Sequence, residues 1–167
     1  MGMIGNYLRV SNEELEAYLS DSSKLEKRVY NGNGQDDPSL LDVDKSWEAL
    51  FFLLTGQALA TSDEARPPFS WVLLPPNEID PDQDMGYGPA TYTTAEQTKE
   101  LSAAINNISS EEIKGRYDGD RMNDMGIYPE VWTEDISKKY LFDEFNSLKD
   151  FFTEAANNNQ AVIVFIN

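Results

Sequence analysis

Apolar residues recur at helical spacing over residues 41–56, LDVDKSWEALFFLLTG, which contain the densest apolar run of the chain. One helical face would carry the large side chains of this stretch, namely Val43, Trp47, Leu50, Phe51 and Leu54. Asp42 or Asp44 is placed to accept hydrogen bonds from the free N–H groups at the helix start, and Gly56 can end the helix in the left-handed conformation. The pattern predicts a core helix over residues 41–56.

Both ends of the chain have the pattern of strands. Residues 3–10 predict a first strand, and Gly2 and Gly5 are expected points of close backbone approach. Residues 161–166, AVIVFI, form an apolar, β-branched run that is typical of a strand buried on both faces. We expect an α+β fold, a single domain over residues 1–167, in which these terminal strands share one small mixed sheet packed with several helices.

Three capping signals and two amphipathic patterns predict the other helices. The signals are S-x-x-E from Ser11, T-x-x-Q from Thr94 and S-x-x-E from Ser109. A short charged helix is predicted over residues 21–30, and the longest helical pattern begins near Thr133 and stops at an Asn-rich segment.

The connecting segments give weaker predictions. NGNGQDDP, residues 31–38, predicts a loop. FSWVLL, residues 69–74, lies between two proline pairs and predicts a short buried strand or extended segment. Residues 87–92 predict a strand or extended segment, and residues 118–120 a turn.

Charge and the missing residue types narrow the function more than any motif does. Thirteen Lys and Arg against thirty Asp and Glu give a net charge of −17, which disfavours nucleic acid and anionic membranes as partners and would attract a basic protein. A well-solvated acidic surface without a selected partner is the favoured interpretation of this charge. The chain has no Cys and no His. Disulfides, thiolate chemistry, a Ser-His-Asp triad and His-ligated metals are therefore excluded within it, whereas catalysis by carboxylates, Lys or Tyr is not.

No targeting or metal-binding segment is predicted. The opening MGMIGNYLRV lacks the apolar block of a signal peptide, and no run of about 18 apolar residues predicts a membrane span. We expect a cytoplasmic protein. The acidic residues 80–84 alternate like calcium ligands, but the Gly and Glu positions of an EF-hand do not match, so a solvated acidic turn is the favoured interpretation and no cofactor is expected.

Three segments carry a family resemblance: MGMIG at the start, LDVDKSWEALFFLLTG in the middle and MNDMGIYPEVW later. In this order they resemble the YfbM-like family of small bacterial proteins, a domain of unknown function numbered 1877. The most specific matching residues are Asp42, Asp44, Lys45, Trp47, Leu54, Thr55 and Gly56. The resemblance implies a single α+β domain and brings no reaction, cofactor or catalytic residue with it.

Two sets of residues are the candidate binding residues. Asp44 and Trp47, with Lys45, could form a small-molecule pocket in which Trp47 is a flat apolar wall. Tyr87, Tyr128 and Trp132 lie beside Gly or Pro and could line a groove where loops converge. They could line a site for a ligand or partner, or serve only as caps and core residues. The composition favours a non-catalytic binding or protein-interaction module, for example an acidic immunity or inhibitor protein that covers a basic surface. The alternative is a small-molecule-binding protein or carboxylate-dependent enzyme with a pocket near Trp47 and Tyr128.

Overall fold

Five strands form one sheet in the computed structural model, which describes residues 2–32 and 34–167. They are β1 Gly5–Val10, β2 Leu40–Asp42, β3 Asn77–Glu78, β4 Thr91–Thr93 and β5 Ala161–Ile166, in the order β2-β1-β5-β4-β3. The predicted α+β class and the pairing of the terminal strands are confirmed. All four described strand pairs are antiparallel, so the sheet is antiparallel and not mixed as predicted. Strand β5 lies between β1 and β4 and runs opposite to both. Met1 and Asn33, in the predicted opening segment and loop, lie outside the described residues.

The central strands β1 and β5 separate two hydrophobic cores. Tyr7 lies opposite Val164 and both face one core, while Leu8 lies opposite Ile163 and both face the other. Because side chains alternate between the two faces of a strand, burial of both faces requires a continuous apolar run. The prediction that residues 161–166 form a doubly buried strand is confirmed.

Seven helices cover the described sheet. Their bounds are α1 Asn12–Ser20, α2 Ser23–Asn31, α3 Trp47–Thr55, α4 Ala95–Asn106, α5 Ser110–Arg116, α6 Gly119–Asp124 and α7 Ser137–Asn157. Helices α1 and α2 pack on the face of Leu8, and α3, α4 and α7 pack on the face of Tyr7. The capping boxes predicted at Ser11 and Thr94 are present, and Ser109 accepts a hydrogen bond from the Glu112 N–H.

The predicted core helix over residues 41–56 is correct in its second half and wrong in its first. Helix α3 begins only at Trp47, since residues 40–42 form β2 and Asp44–Ser46 form a 3₁₀ turn. Pairing of β2 with β1 holds the chain extended, and Asp44 has a φ of +49°, which no α-helix continues. Neither Asp42 nor Asp44 caps α3, whereas Gly56 ends it with the predicted left-handed φ, +74°.

Three shorter predictions also need correction. Phe69–Val72 is a 3₁₀ helix and not a strand, because its N–H groups bond to carbonyls three or four residues back, as Ser70 does to Arg66. The predicted turn at residues 118–120 begins α6, where the Asp118 side chain accepts from the Arg121 N–H. The strand predicted over residues 87–92 is displaced to Thr91–Thr93.

Candidate functional site

Trp47 and Tyr128 meet at the first turn of α3. Their rings stack with centroids 5.6 Å apart and planes at 26°. The Trp47 indole N–H donates to the Met3 carbonyl at 3.1 Å, and the Met3 N–H donates to the Tyr128 hydroxyl at 3.0 Å. A Cβ at Gly5 would lie 2.6 Å from the Trp47 Cβ, so only glycine lets the N-terminal segment pass this close, as predicted. The two residues therefore anchor the backbone of that segment.

Glu48 is a buried residue that sequence reasoning missed. The residue is 6% exposed, and its carboxylate accepts from two backbone N–H groups at 2.8 Å, those of Leu59 and Tyr128. The negative charge lies in the first turn of α3, where the helix dipole favours it. An acid within the otherwise apolar run after Trp47 was the available signal. Glu48 holds two loops against the start of the helix.

Trp132 and Asp44 are joined through Tyr140. The Trp132 ring is 1% exposed, its indole N–H donates to the Ile127 carbonyl at 2.9 Å, and it stacks on Tyr140 with centroids 6.5 Å apart. The Tyr140 hydroxyl donates to Asp44 Oδ2 at 2.9 Å. Burial, and then the Asp44 carboxylate, raise the pKa of Tyr140 above its ordinary value. Trp132 is thus a core residue, and through Tyr140 it helps to orient the exposed carboxylate of Asp44.

Asp44 belongs to an acidic cluster, defined as Asp42, Asp44, Asp143 and Glu144, in which Asp143 also forms an ion pair with Lys139. Glu144 is half-buried on α7. Its burial, and then the carboxylates of Asp44, Asp42 and Asp143, raise the pKa of Glu144. Because like charges oppose its ionisation, the cluster is a surface where negative charge accumulates.

Tyr87 has different surroundings from the other predicted residues. Its side chain is 64% exposed and its N–H donates to the Ile166 carbonyl at 3.1 Å, at the end of β5. It borders an apolar groove of about 250 Å³, with Leu59 and Leu74 among the lining residues.

Four cavities of the described residues have volumes of about 120, 430, 230 and 250 Å³. None of these four is lined by Asp44, Trp47, Tyr128 or Trp132. The pocket expected beside Trp47 and Tyr128 stays a prediction.

The acidic residues 80–84 make hydrogen bonds within a turn and to α2. Asp80 accepts from the Ser22 hydroxyl at 2.7 Å and from the Asp82 N–H at 3.0 Å, and the Ser22 hydrogen bond lowers the pKa of Asp80. Asp84 accepts from the Gly86 N–H at 2.9 Å. Within residues 2–32 and 34–167, no three acids lie close enough together to hold a metal ion. No helix in those ranges is long and apolar enough to cross a bilayer.

Comparison with known proteins identifies similar chains. A family model described as "Domain of unknown function (DUF1877)" matches residues 1–165. Protein YfbM from Escherichia coli (strain K12) is 29% identical over 148 residues, which cover 85% of this chain and 82% of YfbM. The crystal structure of a protein of unknown function, YfbM from Escherichia coli, matches with a TM-score of 0.72 and 18% identity, over 98% of this chain and 99% of that one. At this identity the structural match shows a shared fold.

Proposed function

Because the chain belongs to the family described as a domain of unknown function (DUF1877), whose description gives no activity, we propose a function from the geometry of its surface. The protein is a non-catalytic interaction module that binds a basic protein surface through the acidic cluster, in the manner of an immunity or inhibitor protein. In this proposal the encounter takes place in the cytoplasm, the location expected from the sequence.

The observation that supports this proposal most strongly is the environment of Glu144. Burial of its carboxyl group, and then the charges of Asp44, Asp42 and Asp143, raise the pKa of Glu144, so its ionised form is less favourable than that of a carboxyl in water. A cationic side chain placed among these groups would reverse that unfavourable interaction. The Tyr140 hydroxyl holds Asp44 in one orientation, which reduces the entropy lost on binding.

The charge of the whole chain supports the same class of partner. Of thirteen basic residues in the sequence, two form ion pairs within the described ranges: Arg28 with Glu14 and Asp37, and Lys139 with Asp143. Within the described ranges, most of the thirty acids are thus left without an ion pair. A field of this sign accelerates encounter with a basic surface and weakens as salt is added.

The test is salt-dependent retention of a partner from lysate by matched variants. One variant carries Asp42→Asn, Asp44→Asn and Glu144→Gln. Its control carries Glu16→Gln, Glu96→Gln and Glu100→Gln, which removes the same charge from exposed positions on α1 and α4. We expect a basic protein to be retained by the wild type and the control, released by high salt and lost from the cluster variant. Equal retention by both variants, or retention insensitive to salt, would contradict the proposal.

One observation favours the alternative of a carboxylate-dependent enzyme or small-molecule-binding protein. A carboxyl group with a raised pKa beside other carboxylates, as Glu144 has, is a common arrangement of a general acid and base. Thermal-shift measurements with a metabolite library discriminate the two. A ligand that stabilises the wild type but not Trp47→Phe or Tyr128→Phe would favour a pocket beside Trp47 and Tyr128.

A further inference from the structure

A cavity of about 430 Å³ lies where the end of α3 meets α5 and α6, and it is the largest of the four described. Ligand sites for small molecules typically have volumes of roughly 300–1,000 Å³. The cavity is separate from the acidic cluster, and three residues of the family-like motif border it, namely Leu54, Thr55 and Gly56. The remaining lining residues are Phe52, Gly115, Arg116, Asp118 and Arg121.

Two guanidinium groups border this cavity and both are positioned by α3. Arg116 Nη1 donates to the Leu53 carbonyl at 3.0 Å. The Arg121 guanidinium carbon lies 5.9 Å from the centroid of the Phe52 ring, in a cation–π contact. Neither arginine forms an ion pair with a carboxylate of the described residues. Since an arginine has five N–H donors, both keep donors for a ligand.

The one acid among the lining residues already accepts a hydrogen bond from the backbone of α6. Asp118 Oδ1 accepts from the Arg121 backbone N–H at 3.1 Å and so caps α6. Two guanidinium groups and one carboxylate leave one net positive charge at the cavity wall. The charged residues that line this cavity are thus positive in sum, whereas the whole chain has a net charge of −17.

Gly115 forms part of the wall although packing does not require a glycine there. It lies inside α5, where alanine is the more stable residue, and a Cβ at this position would meet nothing within 4 Å. The missing side chain therefore widens the cavity without relieving any contact in the protein. This is the arrangement expected where a ligand approaches the backbone closely.

We propose that this cavity binds a small organic anion that carries a phosphate monoester or two carboxylates. The guanidinium groups of Arg116 and Arg121 donate to the anionic oxygens, a geometry that suits planar, bidentate hydrogen bonding. Phe52 and Leu54 line the same cavity but are only 4% and 3% exposed, so the contacts of the ligand are mainly with the two guanidinium groups. The site is independent of the acidic cluster, so either can fail without the other.

Titration calorimetry at constant ionic strength tests the site with three probes: inorganic phosphate, glycerol 3-phosphate and succinate. We expect saturable binding of at least one probe to the wild type. Arg121→Gln should weaken it by about tenfold or more, since a hydrogen bond to a charged group is lost. Arg66→Gln is the matched control, because Arg66 is exposed and donates only to the Asp63 and Ala65 carbonyls. A preference for glycerol 3-phosphate or for succinate identifies the anionic group.

Two further variants separate a ligand site from a purely structural pair of arginines. Asp118→Asn keeps an oxygen acceptor for the cap but removes the negative charge, so it should tighten binding. Gly115→Ala should raise the melting temperature of the free protein and weaken binding by filling the cavity. The proposal is overturned if no probe binds saturably, if Arg121→Gln and Asp118→Asn both bind as the wild type does, or if Arg66→Gln weakens binding as much as Arg121→Gln. The first two results would mean that the arginines only cap and cover α3.

Discussion

Trp47 is both a core side chain and a hydrogen-bond donor, which makes its removal costly. It is 2% exposed, and its indole N–H is the partner of the Met3 carbonyl. Trp47→Ala should therefore lower the free energy of unfolding by about 3 to 5 kcal/mol, since a large cavity replaces the ring. Urea unfolding followed by circular dichroism measures the loss.

Trp47→Phe is the matched control for this experiment. Phenylalanine keeps an aromatic face for Tyr128 but cannot donate to Met3, so it should lose less stability than Trp47→Ala. If Trp47→Ala were as stable as the wild type, the assignment of Trp47 to the core would be wrong. Loss of a ligand or partner without loss of stability would instead make it a binding residue.

Glu48 gives a second prediction at a single residue, because both of its carboxylate oxygens accept backbone N–H groups. Glu48→Gln replaces one acceptor by an NH₂ group that would face an N–H donor. We expect a loss of about 1 to 3 kcal/mol in the free energy of unfolding. Glu16→Gln, an exposed change of the same kind on α1, should alter it by less than about 0.5 kcal/mol. Equal stability of the two variants would show that the Glu48 contacts contribute nothing.

Helix α7 carries a carboxyl group, that of Glu144, whose ionisation lowers the stability of the protein as the pH rises. Most acidic residues that interact in a folded protein have the opposite effect. Burial and the carboxylates of Asp44, Asp42 and Asp143 raise the pKa of Glu144 in the folded protein. The folded state then binds more protons than the unfolded state, so the free energy of unfolding falls as the pH rises through the folded pKa. Glu144→Gln should therefore stabilise the protein at about pH 7, and the gain should shrink towards about pH 3, where the carboxyl is protonated in both states.

The measurement is the difference in melting temperature between Glu144→Gln and the wild type at each pH of this range. A difference is needed because other groups titrate in the opposite sense. The Arg28 hydrogen bond lowers the pKa of Asp37, so that contribution to stability is present at neutral pH and is lost as the pH falls through the folded pKa. A gain from Glu144→Gln that did not depend on pH would contradict the electrostatic explanation.

Elements whose signal lies within a few neighbouring residues could be predicted from the sequence. The capping boxes at Ser11 and Thr94 each need only residues i and i+3, and the continuous apolar run of β5 reports burial on both faces. The start of α3 could not be predicted in this way, because Leu41 is held in β2 opposite Tyr7, on a distant strand. Local helical spacing contains no information about that pairing.

The candidate site was predictable as residue types but not as contacts. Trp47 and Tyr128 were selected as aromatic residues beside a helix or loop, and the structure stacks them. The bridge from Trp132 through Tyr140 to Asp44 joins segments far apart in the sequence, so no spacing indicates it. The two arginines at the end of α3 were missed for the same reason, since they come close to its last turn only through the packing of α5 and α6.

At the scale of the whole molecule, repulsion among negative charges should dominate the response of stability to salt. The net charge is −17, and the described ion pairs involve only Arg28 and Lys139 among the basic residues. Raising NaCl from about 0.01 M to 0.15 M shortens the Debye length from about 30 Å to 8 Å and screens this repulsion in the compact state. We expect the melting temperature to rise over this range and then to level off.

The variant with Glu16→Gln, Glu96→Gln and Glu100→Gln is the control for this response. With three negative charges fewer, its melting temperature should be higher at low salt and should rise less as NaCl is added. A fall in the melting temperature of the wild type with salt would mean that the ion pairs of Arg28 outweigh the repulsion. The same repulsion would be relieved by a basic partner, so a rise with salt would agree with the proposed interaction.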